Sequence, residues 1–395
     1  MKILFVSHKM PYPPDKGEKI RAYNELKYLC RFFEVHLCSF VEDQKDLKGA
    51  KELKKICKSV DAISLSKSVK RLKALLAILS KKPISIEVFY SKTLQRVIKR
   101  KIRHENFDVA FCFSSSSAKY DFLNTKIITD FVDVDSQKWF QYSKKTKGFM
   151  SWLYKREEIK VFEYEKKVFK KSDISLFVSE KEKESFVKKI KTDKNIYVVP
   201  NGVDFNHFKP QKKHKNNEKD NFNLLFTGNM DYFANEDGVL WFVKKVMPLL
   251  RKKCPKIKLY VVGSNPSKRL RTLKLEDVVI TGYVDDIKEF YDLSAVFVAP
   301  LRIAQGVQNK ILEAMSMEKP VVATLKAYEG LEAIPYKEIL LAQNEVQFAE
   351  IITYLLFNPD KRKRIGENAR RYVLKKHNWD KNMAILKYLI EKKRV

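Results

Sequence analysis

The sequence predicts an α/β protein made of two domains, each with a mostly parallel sheet covered by helices on both faces. Short runs rich in Val, Ile and Phe alternate with segments of helical periodicity, which is the pattern of repeated β-α units. Right-handed crossovers between parallel strands place helices on both sides of such a sheet. One polar stretch in the middle of the chain interrupts the alternation and separates the two domains.

Each half of the chain carries its own series of predicted strands, bounded by polar or glycine-containing segments. In the first half they are 2–7, 35–40, 62–65, 109–113, 127–131, 174–178 and 196–199. In the second half they are 223–227, 258–262, 278–281, 296–299, 321–324 and 339–341.

The domain boundaries follow from the polar stretch KPQKKHKNNEKDN, which is almost free of apolar residues. We predict an N-terminal Rossmann-like domain over 1–207, a linker over 208–221 and a C-terminal Rossmann-like domain over 222–378. The chain ends in two helices that break near His377, and we expect the last one, 379–395, to pack back on the N-terminal domain. Ligands of open α/β sheets bind at the carboxyl ends of the strands, so we expect an active site in a cleft between the two domains.

Charge and hydropathy limit the classes of protein that fit. The net charge of +31 favours an anionic partner, which can be nucleic acid, an acidic membrane leaflet or a phosphorylated substrate, although a lysine-rich composition accounts for it equally well. No run of 18 apolar residues predicts a transmembrane helix, and the opening residues lack the features of a signal peptide. We therefore expect a cytoplasmic protein, with peripheral attachment to the inner face of the plasma membrane left open.

A series of short motifs then recurs in a characteristic order. They are MPYPPDKGEKIRAYNEL at 10–26, VSE at 178–180, PNGVD at 200–204, FTGNM at 226–230, VVGSNP at 261–266, TGYVDD at 281–286 and KILEAMSMEKPVVAT at 310–324. In this order the sequence resembles the retaining GT-B glycosyltransferases (glycosyl transferases group 1) over almost its whole length. The combination of PYPPDKGEKIR with APLRIAQGVQNKILEAM is most similar to the subgroup associated with exopolysaccharide assembly.

The resemblance implies a GT-B fold and a hexosyltransferase-like enzyme of cell-surface polysaccharide or glycolipid biosynthesis. The C-terminal domain would hold a nucleotide-diphosphate sugar as co-substrate, and the N-terminal domain would bind a glycan or lipid-linked acceptor. No cofactor and no metal are expected, because a helix N-terminus and cationic side chains neutralise the diphosphate.

The predicted donor site centres on the loop and helix of APLRIAQGVQNKILEAM. We predict a helix whose first turn holds Val307 to Lys310, with Lys310 for the phosphates and Glu313 for the ribose hydroxyls. The sequence has Gln305 where relatives commonly have a first glutamate, and Arg302 with Lys310 would supply the positive charge that FTGNM lacks. The remaining donor-binding predictions are Lys16, Gly17, Gly228, Gly263, Gly282, Tyr283, Val284, Gly306, Val307 and Gln308.

On the acceptor side, KIITDFVDVDSQKW places acidic residues just after a predicted strand. The resemblance implies a catalytic residue that faces the reacting sugar, with Asp133 as the first candidate and Asp135 as the second. Arg302 and Lys310 complete the predicted catalytic set. An alternative is that Asp133 and Asp135 form a metal-binding Asp-x-Asp pair.

The segment SKSVKRLKALLAILSKKP predicts a basic amphipathic helix over residues 67–82. Two interpretations stay open: the helix rests on an anionic membrane surface, or its apolar side packs on the sheet while its lysines face solvent. Two other functions also remain. One is a nucleotide-sugar epimerase of the same fold; the other is a non-catalytic scaffold binding nucleic acid or membrane, although no nucleic-acid motif is present.

Overall fold

The computed structural model describes residues 1–210, 222–273 and 275–392. Within these residues the chain forms two compact units, Met1–Pro200 with Asp380–Val395, and Asn201–Trp379. The predicted linker 208–221 falls mostly on 211–221, outside the described residues. Each unit is an α/β domain with a parallel sheet, as the alternating apolar runs predict.

The N-terminal unit contains a seven-stranded parallel sheet of order β3-β2-β1-β4-β5-β6-β7. Its strands are β1 Lys2–Ser7, β2 Glu34–Val41, β3 Ser59–Ser64, β4 Val109–Phe113, β5 Lys126–Val132, β6 Ile174–Phe177 and β7 Ile196–Val198. Its helices are α1 Gly17–Leu29, α2 Gln44–Leu53, α3 Lys67–Leu79, α4 Ile84–Glu87, α5 Lys92–His104, the 3-10 helix Ser115–Lys119, α6 Asp135–Lys145, α7 Gly148–Lys171 and α8 Glu180–Ile190.

The C-terminal unit contains a six-stranded parallel sheet of order β10-β9-β8-β11-β12-β13. Its strands are β8 Asn223–Thr227, β9 Lys258–Val262, β10 Val278–Gly282, β11 Val296–Ala299, β12 Val321–Thr324 and β13 Leu340–Ala342. Its helices are α9 Phe233–Trp241, the π-helix Phe242–Val246, α10 Met247–Lys253, α11 Lys268–Arg271, α12 Lys288–Leu293, α13 Asn309–Ser316, α14 Leu325–Tyr328, α15 Glu345–Phe357 and α16 Pro359–Lys376.

The last helix, α17 Trp379–Glu391, has its residues from Asp380 onward in the N-terminal unit. Asp380 forms an ion pair with Arg31 at 2.5 Å, and Lys126 Nζ donates to the carbonyl oxygen of Lys392 at 2.7 Å. These contacts fasten the end of the chain to the first unit.

The strand orders place a topological switch point in each sheet. In the N-terminal sheet, β2 and β3 lie on one side of β1, and β4 to β7 lie on the other side. In the C-terminal sheet, β9 and β10 lie on one side of β8, and β11 to β13 lie on the other side. Crossover helices therefore diverge between β1 and β4 and between β8 and β11, and this divergence opens a crevice at the carboxyl edge. Most strand residues beneath these crevices are fully buried, so each crevice rests on a rigid apolar core.

The predicted start of the helix after β11 is wrong. The helix after β11 begins at Asn309, with Gln308 as the residue before it, so Val307 and Gln308 are in the loop and not in the first turn. Gly306 has a φ of 58° and Gln308 has an extended ψ of 100°, which keeps the loop open two residues longer than the apolar pattern suggests.

Candidate functional site

The switch point of the C-terminal sheet is lined by bare backbone. Gly228, Gly263 and Gly282 lie at the carboxyl ends of three adjacent strands and are linked laterally: Gly228 N–H donates to Val262, and Gly263 N–H to the carbonyl oxygen of Gly282, both at 3.0 Å. A Cβ on Gly263 would come within 1.8 Å of the Gly228 carbonyl oxygen, so no larger residue fits. This edge of the sheet is therefore a close-packed backbone surface, beside which the side chains of Lys310 and Asn235 lie next to Gly228.

Lys310 reaches this glycine edge from α13. Its Nζ would lie 2.9 Å from a Cβ on Gly228, donates to Asn235 Oδ1, and sits 4.6 Å from the centre of the Phe226 ring. Burial lowers the pKa of Lys310 to about 7, against the opposing effect of Glu313. A lysine held this way gains by binding an anion, since an anionic partner restores the stability of its charged form.

Glu313 lies one turn further along α13 and takes a different partner. The Tyr291 hydroxyl lies 3.2 Å from Glu313 Oε2 and 3.2 Å from Thr227 Oγ1, so a fully buried tyrosine links the helix to the end of β8. Burial raises the pKa of Glu313. The carboxyl group is thus held in a fixed position, half-buried, beside the same crevice.

Arg302 differs from Lys310 in that its charge is already paired. Its Nε lies 2.9 Å from Asp237 Oδ2, and its Nη2 bonds the other carboxylate oxygen, giving a two-pronged ion pair. Within the part of the chain that the structure describes, Lys310 therefore lies at the glycine edge without a carboxylate in hydrogen-bond contact, whereas the guanidinium of Arg302 is already bonded to Asp237.

The rest of the loop is ordered by its own contacts. Gln308 Nε2 donates to the carbonyl oxygen of Gln305 at 2.9 Å, and a Cβ on Gly330 would lie 2.5 Å from the carbonyl oxygen of Gly306. Next to Gly282, Tyr283 is 71% exposed, whereas Val284 packs against the core of the C-terminal unit. Tyr283 is therefore the residue of this pair with a side chain available to a ligand.

The corresponding edge of the N-terminal sheet is built from buried charge. Arg21 of α1 is fully buried; its Nε lies 2.6 Å from Asp130 Oδ2, and its Nη1 donates to the carbonyl oxygen of Val199. Burial alone would lower the pKa of Arg21, but Asp130 and Glu25 raise it. Burial and Asp130 also raise the pKa of Glu25 well above its usual range, which favours its neutral form.

Asp133 and Asp135 follow β5 directly, but their surroundings differ. Asp133 Oδ1 is buried without a hydrogen-bond partner among the described residues, and burial, Glu182 and Asp135 raise the pKa of Asp133 well above its usual range. Asp135 is paired with Lys138 at 2.7 Å. Val132, just before them, has a φ of 65°, which turns the chain away from the strand. The two carboxyl groups are therefore unequal: burial disfavours the charged form of Asp133, whereas Asp135 is paired with Lys138.

Lys16 and Gly17 mark the start of α1 in the same unit, Lys16 as the residue before the helix and Gly17 as its first residue. Glu18 in the first turn contacts His8 at 3.3 Å, and His8 also lies 3.0 Å from Ser114 Oγ. These contacts join the ends of β1 and β4 to α1, so Gly17 stands beside the N-terminal switch point.

One group of side chains that could bind a metal ion has no sequence signal, because its members are far apart in the sequence. Glu34, His36 and Glu105 offer ligand atoms within 4.8 Å of one another. Lys2 Nζ lies 3.4 Å from Glu34 and 3.3 Å from Glu105, so a cation already balances the carboxylates. The group lies at the amino ends of β1 and β2, opposite to the edge that carries the switch point.

The structure thus brings Gly228, Gly263, Gly282 and Lys310 together, with Glu313 beside them, while Lys16, Gly17, Asp133 and Asp135 belong to the other unit. Three contributors were not predicted. They are Asn235, Tyr291 and Gly330, which come from other elements and carry no motif of their own.

Comparison with known proteins gives the family and the fold that the chain resembles. Residues 221–358 match the family model described as Glycosyl transferases group 1. An uncharacterized 44.6 kDa protein in the cps region of Klebsiella pneumoniae is 26% identical over 96% of both chains. An uncharacterized glycosyltransferase of Methanocaldococcus jannaschii is 27% identical over 58% of this chain and 60% of its own.

Among solved structures, Anabaena HepE in complex with UDP superposes with a TM-score of 0.70 at 15% identity, covering 98% of this chain and 99% of that one. The same protein in complex with UDP-glucose gives a TM-score of 0.69 at 14% identity, with the same coverage. The chain therefore has the GT-B fold. Within its C-terminal unit, the residues that match the group 1 glycosyl transferase model include the glycine edge and α13.

Proposed function

We propose that this chain transfers a sugar from a nucleotide-diphosphate donor, held by the C-terminal unit, to a glycan or lipid-linked acceptor. The observation that carries the proposal is the half-buried Lys310 ammonium beside the glycine edge of β8, β9 and β10. A cation with a lowered pKa next to exposed backbone favours a diphosphate over a neutral ligand. The UDP and UDP-glucose complexes of HepE, a protein of the same fold, support a nucleotide sugar as that ligand.

In this proposal Lys310 and the N-terminus of α13 hold the two phosphates. The α13 amide groups and their dipole attract negative charge. The negative charge on the leaving diphosphate increases as the bond between the sugar and the diphosphate breaks. Lys310 therefore contributes more in the transition state than in the ground state, which is how an electrostatic group accelerates a reaction. Arg302 assists by sharing its ion pair with Asp237.

Glu313 is proposed to accept hydrogen bonds from the ribose hydroxyls. Its carboxyl group is oriented by Tyr291, which is fixed in turn by Thr227 at the end of β8. Ribose contacts change little during the reaction, so this residue contributes to donor affinity and not to the rate of the chemical step. Tyr283 and the main chain of Gly282 to Val284 are proposed to contact the base.

The proposed reaction retains the configuration of the sugar. The acceptor oxygen bonds to the anomeric carbon on the face that the diphosphate leaves, and a phosphate oxygen of the leaving group takes the acceptor proton. Gln305 offers its amide to the sugar or a phosphate but cannot supply a full negative charge to a developing oxocarbenium ion. The protein then works mainly by positioning the reactants and stabilising charge, without a metal.

Asp133 is the proposed group on the acceptor side. Burial raises the pKa of Asp133, which favours its protonated form, and a carboxylic acid can donate a hydrogen bond to a sugar oxygen. Asp135, paired with Lys138, is proposed to support it electrostatically. The cps-region relative from Klebsiella pneumoniae supports a product in cell-surface polysaccharide or glycolipid biosynthesis. A cytoplasmic location is proposed with it.

A donor panel tests the proposal directly. The protein is incubated with UDP-, GDP- and ADP-sugars and a bacterial lipid extract, while nucleotide diphosphate release, sugar incorporation and anomeric configuration are recorded. We expect transfer with retention from one donor class. Lys310→Ala should lower kcat by about 10² to 10³, as for removal of one transition-state donor.

The matched control is Lys326→Ala, which removes an exposed lysine of the same unit that is paired with Glu329. It should behave like the parent protein. Release of sugar epimers in place of transfer, or equal kcat for both lysine variants, would contradict the proposed function.

A further inference from the structure

Helix α3 turns its apolar side toward solvent. Leu72, Leu75, Leu76 and Leu79 are between 55% and 80% exposed, and Val69 on the same side is 43% exposed. A helix on the surface of a soluble domain normally packs such a row of leucines against the core. The interpretation in which this row packs on the sheet is therefore wrong.

The inner side of α3 carries lysines instead. Lys70 is paired with Glu42 and lies 4.5 Å from the centre of the Phe89 ring, while Lys73 donates to the carbonyl oxygen of Tyr90. Ala77 is the one residue of the helix that is fully buried. The orientation is reversed relative to an ordinary amphipathic helix, and specific contacts hold it in that orientation.

Both ends of α3 are also anchored. Ser66 Oγ accepts from the Val69 N–H at the first turn, and Arg156 of α7 donates to the carbonyl oxygens of Ala77 at 2.9 Å and Lys82 at 3.2 Å. The exposed leucines thus belong to a fixed helix, not to a frayed one.

A second exposed apolar group lies on α7, the helix whose Arg156 bonds the end of α3. Phe149, Met150 and Trp152, at the start of α7, are 43% to 67% exposed, and the Phe149 and Trp152 rings stack with their centres 5.6 Å apart. Trp152 precedes Arg156 by one helical turn and shares its face of α7, so it lies toward the end of α3 that Arg156 holds. The leucines of α3 and these residues together are called the α3–α7 face.

The charged residues within the two segments that form the α3–α7 face have one sign. Segments 66–82 and 143–155 contain no Asp or Glu. Their exposed cations include Lys67, Arg71, Lys81, Lys82, Lys144, Lys145, Lys147 and Lys155. Apolar side chains surrounded by exposed cations, with a tryptophan among them, match the boundary between acyl chains and anionic headgroups.

We propose that the α3–α7 face docks on an anionic membrane surface, with its leucines and Trp152 inserted among the lipids and its lysines at the headgroups. A second copy of the chain is the weaker occupant, because a symmetric interface would press two cationic patches together with no acid to balance them. Nucleic acid would not use a row of aliphatic side chains. Membrane docking rests on the proposed function in one respect: docking would bring the enzyme to lipid-linked acceptors.

Sedimentation with vesicles tests the docking without donor or acceptor. The full chain is mixed with phosphatidylcholine vesicles, with or without about a quarter phosphatidylglycerol, at two salt concentrations. We expect binding to the anionic vesicles that weakens with salt, since attraction between exposed charges is screened within about 10 Å at 0.1 M. Trp152 fluorescence should shift to the blue, and Trp152→Phe should remove that shift.

The triple variant Leu72→Ser, Leu75→Ser, Leu79→Ser should lose vesicle binding by more than about tenfold, because each leucine loses apolar burial. Its matched control is Leu325→Ser, Ile334→Ser, Val346→Ser, three similarly exposed apolar residues of the other unit, which should bind like the parent. Donor-nucleotide binding should be equal in all of these proteins, and this separates failure of docking from failure of the proposed function.

Two results would overturn the docking proposal. One is a parent protein that sediments with neither vesicle, or with both equally. The other is a parent dimer in analytical ultracentrifugation that the triple variant converts to a monomer, since the face would then join two copies of the chain.

Discussion

The two units share a fold but treat the carboxyl edge of their sheets in opposite ways. The C-terminal unit leaves this edge bare, with three glycines and one nearby lysine, Lys310. The N-terminal unit fills it with a buried network in which Arg21 joins Asp130 and the carbonyl oxygen of Val199. One edge carries the lysine proposed to bind an anion, whereas at the other edge buried ion pairs stabilise the fold.

Removing a buried arginine should show the largest effect of this difference. Arg21→Met leaves Asp130 as an uncompensated buried charge and should lower the free energy of unfolding by about 3–5 kcal/mol. Arg302→Met breaks a pair of similar geometry that is partly exposed, and should cost no more than about 1 kcal/mol. Urea denaturation of both variants measures the contrast, and equal losses would mean that the two arginines have the same structural role.

The glycine edge gives a second contrast within one unit. Gly263→Ala pushes a Cβ into the Gly228 carbonyl oxygen and should cost about 3 kcal/mol of unfolding free energy, together with donor affinity. Gly282→Ala meets no atom within 4 Å, although its φ of 74° is unfavourable, and should cost about 1 kcal/mol. If thermal unfolding and nucleotide titration ranked the two variants in the reverse order, the edge would not be the close-packed surface described above.

The pKa of Lys310 predicts a pH dependence. Its ammonium is charged below about pH 7 and loses its proton above that value. Donor-nucleotide affinity of the parent, divided by that of Lys310→Arg, should therefore be constant below pH 7. Above it the ratio should fall by up to about tenfold per pH unit, because arginine stays charged. Calorimetric titrations from pH 6 to pH 9 give this ratio; a constant ratio throughout would show that Lys310 does not meet the phosphates.

The smallest expected effect concerns metal. EDTA should leave the rate of sugar transfer unchanged, because Lys310 and the start of α13 neutralise the diphosphate and Asp135 is already paired with Lys138. Loss of activity on chelation, with recovery on adding Mn²⁺, would favour the metal-binding alternative for Asp133 and Asp135.

Local patterns predicted the sheets well and the site only partly. The positions of the strands follow from runs such as 109–113 and 258–262, because a fully buried parallel strand must be apolar along its length. Lys310 and Glu313 are predictable because they share one helix that follows a glycine loop, and their binding roles stay predictions. Asn235 and Tyr291 were missed, because each reaches the site from a different crossover helix and only the folded chain brings them there.

The orientation of α3 also depends on residues that its own sequence does not reveal. Its periodicity predicts a helix with one apolar side but not which way that side faces. The direction depends on Glu42, Tyr90 and Arg156, partners that lie outside the helix. Sequence alone therefore left the membrane-facing and sheet-packed interpretations equally open.

Calorimetric titration of the donor nucleotide into four proteins tests the central claim, that the C-terminal unit holds the donor. The proteins are the parent, Lys310→Ala, Glu313→Ala and Asp133→Ala. We expect Glu313→Ala to weaken nucleotide binding by about tenfold or more, as for loss of charged hydrogen bonds. We expect Lys310→Ala to weaken nucleotide binding as well. Asp133→Ala should bind the nucleotide like the parent. Parent-like binding by both the Lys310 and Glu313 variants, or loss of binding in the Asp133 variant alone, would contradict the account.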